Sequence, residues 1–360
     1  VSNASELSAA LASYQGETTI LLAAGQYGAL KYSGIGGKGA LTLTSADPAH
    51  KAVFEDLQFQ NSTGITLDGL AFNPEQTSGE ANSFALSLHN SSNIQVVNSA
   101  FSGEAGSLAK VLGIWVKGSH DVVVENNTFT NLQYGLQGGS SQNLKVLNNS
   151  LTGIRADAFQ FSDMQGVEIA RNFATNFKAE PGAHADFVQF HTVNTTRSSE
   201  GVHIHDNTFL QGSGTSVQGI FMGNETGIAY KNVTIENNLI YTSHWHGITI
   251  GKADGVVIDN NTVLGVPNNY LGTNNTWIKL SGVTNARVTD NLANSVDFGA
   301  TGINSNNTAT HWQSKSGTVP YAEVFSNAGA GTSAQLDDFL VKNAYAGKGA
   351  SLSPLEHAGA

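Results

Sequence analysis

Two short stretches of the chain repeat one pattern and carry many of its reactive side chains. Both contain Asp-x-φ-Gln-Phe, where φ is apolar: the first lies in RADAFQF (155–161) and the second in HADFVQFH (184–191). The residues two and four places after each Asp are apolar, which is the spacing of a strand that buries one face. Gln160 and Gln189 then face outward, where an amide can both donate to and accept from a ligand.

Asp157 and Asp186 are expected to lie side by side if the two copies stack as parallel strands. Equivalent residues of neighbouring strands are about 4.8 Å apart. Two carboxylates this close repel each other, so they share a proton, bind a cation or take different roles. We predict that they are catalytic. A Ca²⁺ ion held by the pair is an alternative, since paired oxygen ligands suit hard cations.

The residues around this pair favour chemistry over a purely structural role. An Asp at a strand corner commonly accepts hydrogen bonds from turn N–H groups, and this is the alternative interpretation for each Asp. However, Arg155 and His184 each lie two residues before one of the carboxylates, and His191 follows the second copy. Basic groups in this position can transfer protons or bind an anionic ligand.

An internal repeat predicts the fold. A phrase of alternating apolar residues closed by Asn recurs, as in VVVENNTF and VTIENNLI, and its spacing is 22 or 23 residues, or longer where a loop is inserted. The closing residues are Asn127, Asn149, Asn172, Asn207, Asn238, Asn261 and Asn291. Alternation excludes helices, so we predict an all-β, single-stranded right-handed parallel β-helix. Its Asn residues are expected to form a stacked ladder.

The two ends of the chain differ from the repeats. SELSAALAS (5–13) predicts a short amphipathic helix, which would cap the open end of the coil as solenoids require. AQLDDFLVKNAY (334–345) predicts a second helix. We assign residues 1–295 to the β-helix with its N-terminal cap. Residues 296–360 are assigned to a C-terminal cap or irregular tail that leads to a linker.

Aligning the coils by their buried residues places two columns of side chains, many of them amide, aromatic or titratable, on one face. The outward column is Trp115, Gln137, Gln160, Gln189, Phe221, Thr249 and Lys279. The column where each strand begins is Leu112, Tyr134, Asp157, Asp186, Gln218, His246 and Thr276. In a straight strand this second column would point inward, so its use in chemistry requires a bend there.

A second histidine pair belongs to the same region. His244 and His246 lie in SHWHG, and His246 falls in the column that also contains the two Asp residues. A His-x-His pair begins many zinc sites, but no third ligand is in register with it. We therefore predict that His246 takes part in catalysis and that His244 contacts the substrate.

Two features resemble carbohydrate-active families. The opening helix, apolar strand and Gly-x-Tyr phrase resemble the start of secreted β-helical polysaccharide lyases. YGLQ (134–137) resembles the start of the Tyr-Gly-Phe-Asp-Pro-His motif of mannuronan C5-epimerases, and DAFQ (157–160) is similar to that family's next coil. The resemblance implies a right-handed β-helix acting on alginate-type uronates, with Tyr134 as the catalytic Tyr. Gln137 replaces the motif's Asp and Gly-Gly replaces Pro-His, so those roles do not transfer.

Composition limits the class of partner. The chain has 360 residues, a formal net charge of −11 and no Cys. An acidic surface does not suit nucleic acid, whose phosphates need positive charge. No apolar run approaches the roughly 18 residues of a membrane span, so no membrane partner is expected. We predict a secreted, extracellular, monomeric bacterial protein whose partner is an acidic polysaccharide.

The sequence predicts a lyase that cleaves beside a uronate by β-elimination. Such an enzyme removes the proton at C5 and must neutralise the adjacent carboxylate. The candidates for acid and base are Tyr134, His184, His191 and His246, and those for binding the carboxylate are Arg155, Lys178, Gln160 and Gln189. Trp115 is expected to stack on a sugar ring. A C5-epimerase is the first alternative; a hydrolase using the two Asp residues and a non-catalytic polysaccharide-binding β-helix are the others.

Overall fold

The computed structural model describes residues 1–74, 83–106, 110–267 and 275–351. Within these ranges the chain forms thirty-one strands, two α-helices and three short 3₁₀ turns. No helix in these ranges is long and apolar enough to cross a membrane.

The helices and strands follow one another in a regular order. Helix α1 is Ala4–Ser13 and α2 is Tyr321–Val324. The early strands are β1 Thr18–Leu22, β2 Gly25–Ser33, β3 Leu41–Ser45, β4 Ala52–Gln60, β5 Thr63–Asp68, β6 Ala71–Phe72, β7 Ser83–His89, β8 Ser92–Val97, β9 Ala100–Ser102, β10 Val111–Lys117, β11 His120–Glu125 and β12 Thr128–Thr130. The central strands are β13 Tyr134–Gly139, β14 Gln142–Leu147, β15 Ser150–Thr152, β16 Phe159–Ser162, β17 Gln165–Ala170, β18 Phe173–Thr175, β19 Asp186–Phe190, β20 Glu200–His205, β21 Thr208–Leu210, β22 Gln218–Met222, β23 Tyr230–Glu236 and β24 Leu239–Thr242. The late strands are β25 His246–Asp259, β26 Thr262–Gly265, β27 Trp277–Thr289, β28 Leu292–Ala293, β29 Ser295–Ser305, β30 Thr308–His311 and β31 Val319–Pro320.

The strands stack in parallel into three faces of one coil. Face A contains β7, β10, β13, β16, β19 and β22, followed by the first parts of β25, β27 and β29. Face B contains β8, β11, β14, β17, β20 and β23, and face C contains β9, β12, β15, β18, β21 and β24. Parallel crossovers are right-handed. The predicted right-handed parallel β-helix is confirmed.

The Asn ladder forms at the turn between faces B and C. Asn149 Nδ2 donates to Asn172 Oδ1 at 3.0 Å, and Asn172 Nδ2 donates to Asn207 Oδ1 at 2.9 Å. The preceding residues are left-handed, with φ of 55° at Arg171 and 56° at Asp206. The residue before each ladder Asn therefore makes the turn, and the Asn itself forms hydrogen bonds with the buried amides of neighbouring coils.

Apolar side chains fill the interior of the coil. Phe72, Phe101 and Phe129 stack in successive coils with centroids 4.4 and 4.8 Å apart. At the N-terminal end, α1 buries Leu7 and Leu11 against this core, as the sequence predicted. These stacks keep the coils in register and hold face A rigid.

The coil extends beyond residue 295. β29 pairs in parallel with β27, and β30 pairs with β28, so one more coil follows the predicted boundary. The predicted helix at 334–345 is wrong: the chain there forms 3₁₀ turns at Leu336–Phe339 and Asn343–Tyr345. The physical reason is that Phe339 is fully buried edge-on against Tyr241 and anchors a single turn, after which Leu340 is no longer helical, with φ of −59° and ψ of 124°.

Candidate active site

A bend at the start of each face A strand turns the reactive column outward. In β19, Phe187 and Val188 are consecutive and both are 0% exposed, and Phe187 stacks on Phe209 at 4.6 Å inside the coil. Two successive inward side chains break the alternation of a strand, so Asp186 is turned to the outer side. Ala158 and its neighbour Phe159 repeat this arrangement after Asp157. The bend that the sequence required is present.

The register of face A is the predicted one over most of its length. Gln137 pairs with Gln160, Gln160 with Gln189, and Asp186 with Gln218. One position is a correction: His246 pairs with Trp277 and not with Thr276, because the register shifts after His246. Thr276 is instead buried, and its hydroxyl donates to the carbonyls of residues 242 and 244.

Asp157 is tied into the backbone of the next coil. Its Oδ1 accepts the backbone N–H of Asp186 at 2.9 Å, and its Oδ2 accepts from Gln160 Nε2 at 2.9 Å. The side chain is only 1% exposed. Asp157 therefore holds two coils together and also anchors one of the outward amides, so the alternative structural role applies to this residue.

Asp186 lies beneath an exposed imidazole. Its Oδ2 is 2.9 Å from His184 Nδ1, and Asp186 is 0% exposed whereas the His184 side chain is 51% exposed. Among the described residues, neither Asp186 oxygen has an aligned hydrogen-bond donor. The buried carboxylate thus acts on one exposed group, and that group is a titratable ring.

The titration of these groups is coupled through burial and charge. Burial raises the pKa of Asp157 well above its ordinary range, and the neighbouring Asp186 carboxylate raises it further. Burial raises the pKa of Asp186 to about 6, opposed by His184. The Asp186 carboxylate in turn raises the pKa of His184. The cluster can therefore hold and release protons near neutral pH.

A row of amides leads across face A to the imidazole. Gln137 Nε2 donates to Gln160 Oε1, and Gln160 Nε2 donates to Gln189 Oε1 at 2.7 Å. Gln189 Nε2 lies 3.2 Å from His184 Nδ1, and Gln218 Nε2 lies 2.8 Å from His184 Nε2. The row fixes the amides in place and frames His184 on two sides.

Aromatic rings continue the site beyond His184. Phe221 meets His184 edge-on at 5.0 Å and His246 edge-on at 5.3 Å. His246 Nδ1 is 2.8 Å from Thr249 Oγ1, and its backbone N–H donates to His244 Nδ1 at 3.2 Å. Burial lowers the pKa of each of these two His residues to about 4. Both rings are therefore neutral at pH 7, which leaves His184 as the member of this group whose pKa is raised.

Tyr134 borders the carboxylates on the other side. The residue is half-buried, and burial together with the charge of Asp157 raises the pKa of its phenol. A phenol with a raised pKa keeps its proton at neutral pH. Tyr134 is therefore suited to donate a proton and not to remove one.

The remaining predicted residues lie at different distances from this centre. Arg155 is 7% exposed and its Nη1 donates to Glu180 Oε1 at 3.3 Å, so the guanidinium is matched to a carboxylate of the protein. Lys178 is exposed and its Nζ donates to Asn131. His191 follows the far end of β19, roughly 16 Å from Asp186 along the strand.

Trp115 lies on the same face, three coils before Gln189. Its ring stacks on Phe84 at 5.4 Å, and it pairs in register with Gln137. It therefore occupies the outward column as predicted, at the end of the amide row.

A bound calcium ion does not fit this arrangement. No group of three or more His, Asp or Glu side chains in the described ranges has the geometry of a metal site. Both Asp157 oxygens already accept hydrogen bonds, and Asp186 is covered by His184. Ca²⁺ requires six to eight oxygen ligands. We therefore assign no step to a metal.

Four groups of the site were not among the predicted site residues: Gln218, Phe221, Trp245 and Trp277. The first two belong to the aligned columns, so their register was the available signal. Trp245 and Trp277 are placed by the turn before β25 and by the register shift, which no pattern in the sequence indicated.

Inserted loops border both ends of the central face A strands. Residues 176–185 precede β19, and Ala179 N–H donates to Thr215 Oγ1 in the loop that precedes β22. On the other side, Thr192 N–H donates to Glu225 Oε2 at 2.9 Å, which joins the loops after β19 and β22. Loops joined by hydrogen bonds thus flank the central face A strands at both ends, and loops in such positions commonly border a binding site.

Comparison with known proteins identifies the fold. A family model described as a right-handed β-helix region matches residues 36–209. No curated protein sequence matches the chain. The chain is similar to the crystal structure of an alginate lyase from Paenibacillus sp. str. FPU-7, with a TM-score of 0.54, 13% identity, and coverage of 83% of this chain and 97% of that one.

Two further structures have different names and the same architecture. PfbA, a surface adhesin of Streptococcus pneumoniae, matches with a TM-score of 0.56 and 12% identity over 85% of this chain and 88% of that one. A family 28 exopolygalacturonase of Yersinia enterocolitica matches with a TM-score of 0.54 and 14% identity over 87% of this chain and 75% of that one. At these identities the likeness shows the fold alone.

Proposed function

We propose that this right-handed parallel β-helix is a secreted lyase that cleaves an acidic polysaccharide beside a uronate by β-elimination. The observation that carries the proposal is the exposed His184 ring held over the buried Asp186, at the end of a row of amides. Two of the similar structures, an alginate lyase and an exopolygalacturonase, are named for action on polysaccharides, which agrees with this choice of substrate class.

His184 is the proposed base that removes the C5 proton. Its ring is half exposed, and Asp186 at Nδ1 stabilises the positive charge that the ring gains on taking the proton. The proton is taken by Nε2, which lies 2.8 Å from Gln218 Nε2, so the bound sugar displaces that amide from the ring. Asp186 thus orients the base and favours its protonated form, which is the arrangement of a base with its orienting carboxylate.

The amide row is the proposed site for the uronate carboxylate. Removal of the C5 proton places negative charge on that carboxylate, which must be stabilised by fixed donors. Each amide nitrogen carries two hydrogens, and within the described residues Gln137 Nε2 makes one hydrogen bond. Within the same residues, the hydrogen-bond partner of Gln189 Nε2 is His184, so Gln137 and Gln189 each retain one amide hydrogen for a ligand.

Tyr134 is the proposed acid for the departing C4 oxygen. As the C4–O4 bond breaks, its electron pair stays with O4, which takes the phenolic proton, while the C5–H electrons form the C4=C5 double bond. The raised pKa of Tyr134 keeps the phenol protonated before this step.

A C5-epimerase shares the first of these steps and is the second candidate. Tyr134 and His184 approach the Asp pair from different coils, so a proton removed by one group could be returned by the other. A hydrolase is disfavoured because Asp157 and Asp186 are 1% and 0% exposed, which leaves no room for the attacking water between them.

The test is to incubate the protein with polymannuronate, polyguluronate and polygalacturonate. A lyase generates an unsaturated uronate, seen as rising ultraviolet absorbance together with falling chain length. Solvent hydrogen entering C5 without chain shortening would identify the epimerase. Binding without either reaction would identify a non-catalytic polysaccharide-binding protein, and His184→Ala should abolish whichever reaction occurs.

A further inference from the structure

Two tryptophans form an exposed platform on face A beyond the proposed catalytic centre. Trp245 is 45% exposed, which is unusual for so large an apolar side chain. Its ring lies parallel to that of Trp277, with an interplanar angle of 11° and centroids 6.1 Å apart. The pair thus offers flat apolar surface to solvent and not to the core.

The platform is held in place by its neighbours. Trp277 Nε1 donates to Thr249 Oγ1 at 3.2 Å, and the same hydroxyl lies 2.8 Å from His246 Nδ1. The backbone N–H of Trp277 donates to the carbonyl of Trp245 at 2.8 Å, which fixes the main chains that carry the two indoles relative to each other. A rigid aromatic surface loses little entropy when a ligand stacks on it.

A cation stands beside the platform. Lys279 Nζ is 5.4 Å from the centre of the Trp277 ring, and its side chain is 39% exposed. Lys279 Nζ also lies 2.7 Å from Asp297 Oδ2, and a surface ion pair of this kind contributes little free energy in water. A carboxylate ligand can therefore share or replace this partner at small cost.

The platform is placed where a polymer that crosses face A would reach it. Gln189 pairs with Phe221, Phe221 with Thr249, and Thr249 with Lys279, so Lys279 is three coils from Gln189. At about 4.8 Å per coil, the separation is roughly 14 Å. A disaccharide bound at His184 does not span this distance, whereas a longer chain does.

We propose that Trp245, Trp277 and Lys279 form a binding subsite for an acidic pyranose of the same polymer. The proposal rests on the proposed function for the identity of the polymer. The apolar C–H face of a pyranose stacks on the exposed indole, and its carboxylate is attracted to Lys279. The platform supplies binding to sugar units distant from the reacting bond, so it favours long substrates over short ones.

The subsite is tested by binding in a His184→Ala background, so that turnover does not consume the probe. Hexamannuronate and hexagalacturonate are the probes, and calorimetry gives the affinity. Trp245→Ala should weaken binding about threefold to tenfold, the range of one aromatic stacking contact, and Trp245→Phe should restore most of it. Ile303→Ala removes an apolar side chain that is 55% exposed on face B and is the matched control.

The charge is tested with carboxyl-reduced forms of the same oligomers. Lys279→Met should weaken binding of the acidic oligomers and leave the reduced ones unchanged. The subsite is overturned if Trp245→Ala binds the acidic oligomers as tightly as the unaltered background, or if neither oligomer binds that background. If the protein with His184 intact cleaves the polymer and Trp245→Ala does not weaken binding, the subsite is refuted and the lyase is kept. If Trp245→Ala weakens binding but the protein with His184 intact shows no reaction, the lyase is refuted and the subsite is kept.

Discussion

At the residue scale, Asp157 and Asp186 occupy equivalent positions but contact different groups. Asp157 accepts a backbone N–H and an amide N–H, whereas Asp186 faces the ring of His184. The first set of contacts is what a strand corner needs, and the second is what a catalytic base needs. The two carboxylates therefore have separate roles, although their sequence contexts are nearly the same.

We expect Asp186→Asn to lower turnover on the order of a hundredfold, the usual cost of losing an electrostatic partner of a base. Asp186 raises the pKa of His184, and a base acts above its pKa. Without that charge the pKa of His184 falls, so the acidic limb of kcat/KM against pH should move to lower pH. Rates measured across pH 5 to 8 on a uronate polymer check both effects.

Asp157→Asn is the companion change. It should also lower turnover, because Asp157 Oδ1 accepts the backbone N–H of Asp186 and so positions that residue. The double variant should be scarcely worse than Asp186→Asn alone, because both changes act through the same Asp186 carboxylate and are not additive. Asp157→Asn should in addition lower the melting temperature, since it disturbs the contact with Gln160. If the Asp186→Asn variant keeps its activity within a few-fold and the acidic limb of its kcat/KM profile does not move, the assignment of His184 as the base is wrong.

Gln189→Ala should lower turnover or polymer affinity by about tenfold while the melting temperature stays nearly constant. Gln189 is half-buried on the outward column, so water replaces the lost amide contacts. Gln95→Ala, an exposed Gln on face B, is the control. A sharp drop in stability with unchanged activity per folded molecule would make Gln189 a structural member of the row.

At the scale of elements, the Asn ladder and the bend in the face A strands have different structural roles. The Asn ladder keeps each coil in register with the next, and the bend at the start of each face A strand aims one side chain per coil outward. Gly135 shows how tightly the bend is packed: a Cβ there would lie 2.5 Å from the Ala158 carbonyl oxygen and 2.7 Å from Leu151 Cδ2. The position of Tyr134 therefore depends on a glycine beside it.

Asn207→Ala should lower the free energy of unfolding by about 1–3 kcal/mol, the cost of leaving a buried polar group unsatisfied. Asn207 Oδ1 accepts from the backbone of Asn172 at 3.0 Å, and its Nδ2 donates to the carbonyl of Ile169 at 2.8 Å. Chemical denaturation measures the change, with the exposed Asn343→Ala as control. A loss no larger than that of the control would mean that the coils are held by their apolar core alone.

At the scale of the whole molecule, a protein with a formal net charge of −11 is proposed to bind a polyanion. The long-range repulsion between them is screened by salt, whose screening length falls from about 30 Å at 0.01 M to about 8 Å at 0.15 M. The association rate of hexamannuronate should therefore rise with ionic strength over this range. Stopped-flow tryptophan fluorescence measures it, with the carboxyl-reduced oligomer as an insensitive control. A rate that falls with salt would mean that the local field of Lys279 dominates.

Most of the fold could be predicted from the sequence because its determinants are local and repeated. Alternating apolar residues, a 22 to 23 residue spacing and a closing Asn specify parallel coils, and they also gave the register from Trp115 to Lys279. The C-terminal segment was less predictable, because a single buried Phe339 decides its conformation there. Secretion, a monomeric state and a bacterial origin remain predictions.

The candidate site divides in the same way between sequence and tertiary structure. The repeated Asp-x-φ-Gln-Phe pattern by itself placed the two carboxylates and two amides in neighbouring coils. Only the tertiary structure decided that the strand bends before Phe187, that Asp186 is covered by His184, and that the ring of Trp245 lies parallel to that of Trp277. The physical reason is that register follows from a periodic pattern along the chain, whereas burial, pKa and ring contacts depend on side chains that neighbouring coils and loops bring together from distant positions.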